Sequence, residues 1–200
     1  MGSRGFISQL RWILPIVVVL IFLGFATIWW ANISTGELPV LGTIPHFSFT
    51  ERSGDSFGRN NLNDKISIVS WGFTSCPSVC PTMNGYIFEM YNEFADSPEI
   101  QFVTITVDPS RDSLPVLWDY AESLGVTDNR WVFLWAPIDS VVKLSEEGFM
   151  IGAEDLPDGH TFRLTLIDTK GRIRGYYDGL DETSLRVLRD HIRLIAREES

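Results

Sequence analysis

Cys76 and Cys80 are the only cysteines in the 200-residue chain, and they stand together in Thr74-Ser75-Cys76-Pro77-Ser78-Val79-Cys80-Pro81. The spacing is CxxxC, one residue longer than the CxxC of dithiol oxidoreductases. In a helical turn, positions i and i+4 share a face about 6 Å apart, so both sulfurs would point the same way. That separation suits a disulfide, whose Cα atoms lie roughly 4.4–6.8 Å apart, and equally suits the clamping of one metal ion. A purely structural bridge is poorly motivated, because closing so short a loop removes only roughly 2 kcal/mol of unfolded-state entropy, against about 4.7 for a 100-residue loop. Chemistry is the better reading. Thiolates are the form that attacks disulfides and the form that binds soft metals; two of them suit copper(I), and an added imidazole would let the site hold copper(II) as well.

Only three histidines can supply that imidazole. His191 falls within a closing amphipathic helix and reads as a surface or edge residue. His46 begins the first strand, far from the motif, and reads as structural. His160 stands just before the strand Thr161 to Ile167. In thioredoxin-like folds the residue entering that strand faces the cysteine motif, where their cis-proline sits. Spacing alone leaves open a ligand or a solvent-exposed turn histidine in Asp158-Gly159-His160. Met83, one turn after Cys80, offers a thioether, but it belongs to an apolar stripe and reads as core.

The elements that must position these residues are legible. Ile66 to Phe73 is nearly continuous in apolar and β-favouring residues, as a strand covered on both faces would be. The cysteines follow it directly. Pro81 is predicted to open a helix, in which Met83, Tyr86, Ile87, Met90, Tyr91 and Phe94 form a core-facing stripe. Strands are predicted at 46–50, 101–107, 131–135, 161–167 and 172–177, the last two joined by the hairpin turn Asp168-Thr169-Lys170-Gly171. Helices are predicted at 113–124, 138–147 and 182–197. This order gives an α/β fold with a mixed central sheet flanked by helices, the thioredoxin arrangement, with the cysteines beyond the carboxyl end of a central strand. There a helix N-terminus lowers a thiol pKa.

The N-terminus has a different character. No charged side chain occurs from Trp12 to Gly36, and about 20 apolar residues span a bilayer core. Trp12 and Trp29-Trp30 resemble the aromatic belt, and Arg4 and Arg11 precede the span with no acidic residue. The expected organisation is a cytoplasmic N-terminus over 1–11, one transmembrane anchor over 12–31, a linker over 32–45 and the thioredoxin-like domain over 46–200. A cleavable signal peptide fits less well, since no A-x-A-like site follows the apolar run. Of the 16 Lys and Arg, Arg4 and Arg11 precede the span; the 14 that remain face all 26 Asp and Glu. The exposed domain therefore carries about −12, which argues against nucleic acid as a partner and against a polybasic grip on anionic lipid.

With these residues in view, the chain resembles the Sco/SenC family of membrane-anchored, thioredoxin-like copper chaperones of cytochrome c oxidase assembly. The matching stretches are Gly72 to Thr82, then Val107-Asp108-Pro109-Ser110-Arg111-Asp112, then His160-Thr161 ahead of Leu164 to Asp168. The resemblance implies that Cys76, Cys80 and His160 hold copper, and that Asp108 acts beside the site or in partner docking; a plain Asp-Pro turn is the other reading of Asp108. It further implies transfer of copper to the CuA site of oxidase subunit II. The alternative function is a thiol–disulfide oxidoreductase in which Cys76 and Cys80 keep the CuA cysteines reduced. Other periplasmic copper chaperones or thioredoxin-like reductants are further expected partners, and the expected location is a bacterial inner membrane with the domain in the periplasm. One departure is Ser78, where many relatives carry Asp; its absence removes a negative charge beside the thiols.

Overall fold

The structure is a computed structural model that describes residues 17–25, 27, 37–153, 156–157 and 160–198. Residues 17–25 are helical with exposed apolar side chains. Residues 12–16, 26 and 28–31 of the apolar stretch lie outside the described residues, and among those described no helix is long and apolar enough to cross a membrane. The chain divides into two units, Met1–Glu37 and Leu38–Ser200.

The second unit is built on an eight-stranded mixed sheet. Its strands are β1 (Gly42–Thr43), β2 (Ser48–Glu51), β3 (Ser56–Gly58), β4 (Ile66–Gly72), β5 (Ile100–Thr106), β6 (Trp131–Trp135), β7 (Arg163–Ile167) and β8 (Arg172–Asp178), in spatial order β1-β8-β7-β4-β5-β6-β2-β3. The central strands β4, β5 and β6 run parallel, whereas β7 pairs antiparallel with β4. Every residue of β4 and β5 is buried, as expected where helices cover both faces of parallel strands. Side-chain alternation then splits the core. Ile66, Ile68, Phe102, Trp131 and Phe133 pack with the helices α1 (Val79–Glu93), α2 (Leu114–Ser123) and α4 (Glu182–Glu198). Val69, Trp71, Val103, Ile105 and Leu134 face the opposite cluster, which includes Phe149 and the short helix α3 (Ile138–Lys143) through Val141.

The predicted elements appear with local shifts. The first helix begins at Val79 rather than at Pro81, because Pro81 sits within the first turn, where no backbone donor is lost. Helix 138–147 divides into α3 and a π-helical turn, Leu144–Gly148. The segment read as linker joins the domain from Leu38 onward. Its β1 pairs with β8, and the buried Arg174 donates to the Leu38 and Pro39 carbonyls. The 168–171 turn is present, and Gly171 adopts φ +65° there, a conformation glycine reaches without a Cβ penalty.

Candidate metal centre

Cys76 lies in the loop after β4, while Cys80 is the second residue of α1. The two therefore do not share a helical face as i and i+4; a turn, in which the Cys76 N–H donates to the Phe73 carbonyl at 3.3 Å, brings Cys76 back over the helix start. Both thiols are free, Cys80 buried and Cys76 9 % exposed. Gly72 ends β4 against Cys80, since a Cβ there would sit 3.5 Å from its sulfur.

His160 comes from the far side of the site, immediately before β7. Its N–H donates to the Pro157 carbonyl at 3.3 Å, after a cis Leu156–Pro157 bond. The imidazole is buried between two aromatic rings, Phe73 at 5.5 Å and Phe162 at 5.7 Å between centroids, both edge-on. Nδ1 lies 3.1 Å from the Thr161 carbonyl and Nε2 lies 3.6 Å from Cys80 Sγ. A carbonyl only accepts, so Nδ1 carries a hydrogen, and Nε2 is the ring nitrogen that faces the sulfurs. The loop is held from below, where the Gly179 N–H donates to the Phe162 carbonyl at 2.9 Å. A Cβ on Gly179 would meet that carbonyl oxygen at 2.6 Å and Met83 at 3.1 Å, so glycine permits the close approach.

The two Sγ atoms and a ring nitrogen of His160 lie within 4.8 Å of one another. Two thiols and one imidazole, converging and nearly dry, form a soft donor set that fits copper; the chemistry is ligation through sulfur, with the imidazole as the third tooth. The other candidates stand apart. His46 is exposed, and His191 bonds the Tyr177 hydroxyl through Nδ1 at 2.7 Å. Met83 is buried in the core against Gly179. Ser78 is exposed before α1 and makes no side-chain capping bond.

The two thiols are unlike each other. Burial acts to raise Cys76, but hydrogen bonds from the Ser78 backbone, the Cys80 thiol, the Cys80 backbone and His160 outweigh it, and the group falls to about 6. Burial first, then the Cys76 thiol bonded to it and the charges of Cys76 and Asp112, push Cys80 up to about 12. Cys76 is thus the thiolate near neutral pH and Cys80 the thiol. Iodoacetamide, which reacts with thiolate, should label Cys76 with a midpoint near pH 6 and leave Cys80 unlabelled below pH 10. Peptide mapping after timed exposure reads this directly, and a Cys76 midpoint near the ordinary thiol value would contradict the assignment.

Among the described residues, Asp108 makes no side-chain hydrogen bond to the cysteine loop. Its buried carboxylate accepts from Ser110 Oγ at 2.6 Å and from Arg111 Nη1 at 3.3 Å, within its own turn. The carboxylate that does reach the loop is Asp112, which accepts from the Thr74 N–H at 3.1 Å and from the hydroxyls of Thr74 and Thr106, each at 2.5 Å. In the sequence Asp112 and Ser113 are alternative N-caps of the helix over 113–124, and the cap is Ser113. The position of Asp112 four residues after Asp108 gave no sign that the two carboxylates divide the work.

The SCO1/SenC family profile matches residues 39–196. The chain belongs to the SCO1/SenC family. An SCO2-like protein of Rickettsia typhi is 30% identical over 130 residues, covering 58% of this chain and 62% of that protein. The chain thus spans less than two thirds of that relative's length. Among solved structures, BsSco, a Sco-family cytochrome c oxidase assembly protein in which a disulfide switch was identified, superposes with a TM-score of 0.71 at 18% identity, covering 80% of this chain and 98% of that one. Yeast Sco1 with copper bound gives 0.60 at 24% identity, covering 78% and 95%. These likenesses show that the SCO1/SenC member described here has the Sco thioredoxin-like fold.

Proposed function

We propose that this protein is a copper metallochaperone of cytochrome c oxidase assembly, holding one copper through Cys76, Cys80 and His160 and passing it to the CuA site of oxidase subunit II. The observation that carries the reading is the convergence of the two sulfurs and the imidazole within 4.8 Å, in a family that includes copper-bound yeast Sco1. Cargo that must be passed on calls for ligands that can be exchanged one at a time. The single imidazole, on a loop separate from the two thiols, is the natural ligand to yield first. We further propose the apolar N-terminal stretch as a single membrane anchor, with the domain in the periplasm of a bacterial inner membrane.

The test is copper titration of the full-length reduced chain in detergent. One copper per chain is expected, with a sulfur-to-copper charge-transfer band in the copper(II) form. In His160→Ala, copper(II) affinity should fall by more than the ~10–100-fold typical of losing a mere outer partner, while copper(I) stays bound by the two thiolates. A variant that kept the band and the affinity would remove His160 from the site.

A second reading, a thiol–disulfide oxidoreductase acting on the CuA cysteines, is favoured by the lowered Cys76 thiol beside a protonated Cys80, the asymmetry an attacking dithiol requires. Turnover in copper-free buffer that survives His160→Ala would support it over copper transfer.

A further inference from the structure

Asp112 is fully buried and makes no ion pair among the described residues. The nearest cation in sequence, Arg111, is exposed and pairs with Asp108 instead. Both Asp112 oxygens accept: Oδ1 from the Thr74 hydroxyl, Oδ2 from the Thr74 N–H and the Thr106 hydroxyl. This is the arrangement of an ionised carboxylate, which accepts only. Beside it lies a cavity of about 10 Å³, lined by Gly72, Thr74, Asn84, Thr106, Asp112 and Tyr120 among others, roughly the room one water needs. Burying a charge that no cation neutralises is costly. Fixing Thr74 alone would not require it, because an amide or hydroxyl can accept the same N–H.

The location gives the charge a use. Thr74 is two residues from Cys76, and a Cβ on the cavity-wall residue Gly72 would reach ordinary contact with the Cys80 sulfur at 3.5 Å. We propose that Asp112 is a positioning residue whose buried charge selects the oxidation state of the copper held by Cys76, Cys80 and His160, favouring copper(II) and keeping the midpoint potential of the centre low. The inference rests on the copper site proposed above. With the ligands unchanged, the copper(II) and copper(I) forms differ by one positive charge, so a fixed anion nearby stabilises copper(II) more. In a buried setting neither water nor salt screens it strongly. The step is one-electron reduction of bound copper(II) to copper(I); the electron comes from an external one-electron donor such as ascorbate, and all three ligands remain.

The experiment uses the full-length chain in detergent and measures copper(I) and copper(II) affinities and the mediated midpoint potential for the unmodified protein and four variants. Asp112→Asn and Asp112→Ser remove the charge but keep an acceptor for the Thr74 N–H; Thr74→Val and Thr106→Val remove a hydroxyl donor but keep the charge. Failure of the unmodified protein to bind one copper would sink the copper reading itself. Given binding, Asp112→Asn should lower copper(II) affinity about tenfold or more and change copper(I) affinity less than threefold. A tenfold change corresponds to a midpoint rise of about 59 mV. The threonine variants should leave the midpoint near its original value. Equal midpoints in the unmodified and uncharged proteins, or threonine variants that shift as far as Asp112→Asn, would overturn the proposal. So would collapse of both uncharged variants where the threonine variants fold, since that would assign Asp112 to the fold alone.

Discussion

Cys80→Ser should lower copper affinity by about two to three orders of magnitude and leave the domain folded. The magnitude follows from the share of one ligand. Structural sites with four ligands bind zinc with about 10–16 kcal/mol, so one ligand carries on the order of 3–4 kcal/mol, and a hydroxyl is a poor substitute for thiolate toward a soft ion. Folding should survive because serine is nearly isosteric and its hydroxyl can donate to His160 Nε2, which lies 3.6 Å from the sulfur it replaces. Competition with a copper(I) chelator, read beside the thermal unfolding midpoint, checks both halves. Loss of affinity together with loss of fold would make Cys80 a core residue first; undiminished affinity would remove it from the site. Cys76→Ser should cost as much copper affinity and additionally abolish the alkylation midpoint near pH 6.

Arg174→Met should destabilise the domain by about 3 kcal/mol, the lower end expected for removing one partner of a buried ion pair. Asp168 is fully buried and accepts from Arg174 Nη1 at 2.9 Å, from Arg172 Nε at 2.7 Å, and from two backbone N–H groups of its own turn. The Arg172 pair remains in the variant, which is why the full penalty is not expected. Arg174 also caps the carbonyls of Leu38 and Pro39, so the segment leading into β1 should become protease-sensitive. With a slope of about 2 kcal/mol per M, the urea midpoint should drop by about 1.5 M. Burial opposes ionisation of Asp168, but the Arg172 backbone and the Arg174 and Arg172 side chains outweigh it and hold the carboxyl below its ordinary 3.8. A carboxyl lowered by folding stabilises the native state above its unfolded value and loses that contribution as pH falls through the folded one. The gap between original and variant should therefore narrow progressively as pH falls below about 3.8, leaving the share due to the Leu38 and Pro39 carbonyls; a gap that did not narrow with acid, or an unchanged midpoint at pH 7, would contradict this account of Arg174.

How far the sequence reaches can be judged from particular residues. The strand Ile66–Gly72 and the helix carrying Ile87, Met90 and Tyr91 were legible because burial on both faces, or along one stripe, leaves a periodic trace. The 168–171 hairpin was legible because a turn needing left-handed backbone wants glycine. β1 was not: two residues give no periodicity, and their pairing with β8 depends on residues 130 positions away. The same holds for the hold of Arg174 on the Leu38 and Pro39 carbonyls, since backbone acceptors carry no side-chain signature.

At the site, residue type and local spacing determined that two thiols would share one strand-to-helix junction, because neighbours in the chain cannot be far apart in space. Three matters were left to the tertiary structure. One was whether His160 joins the thiols, since its reach depends on β7 lying beside β4. Another was which of Asp108 and Asp112 touches the cysteine loop, decided by whether Thr74 or Arg111 offers the nearer donors. The third was the unequal acidity of Cys76 and Cys80, because hydrogen bonds and dielectric are set by packing, and no alphabetical distance records them.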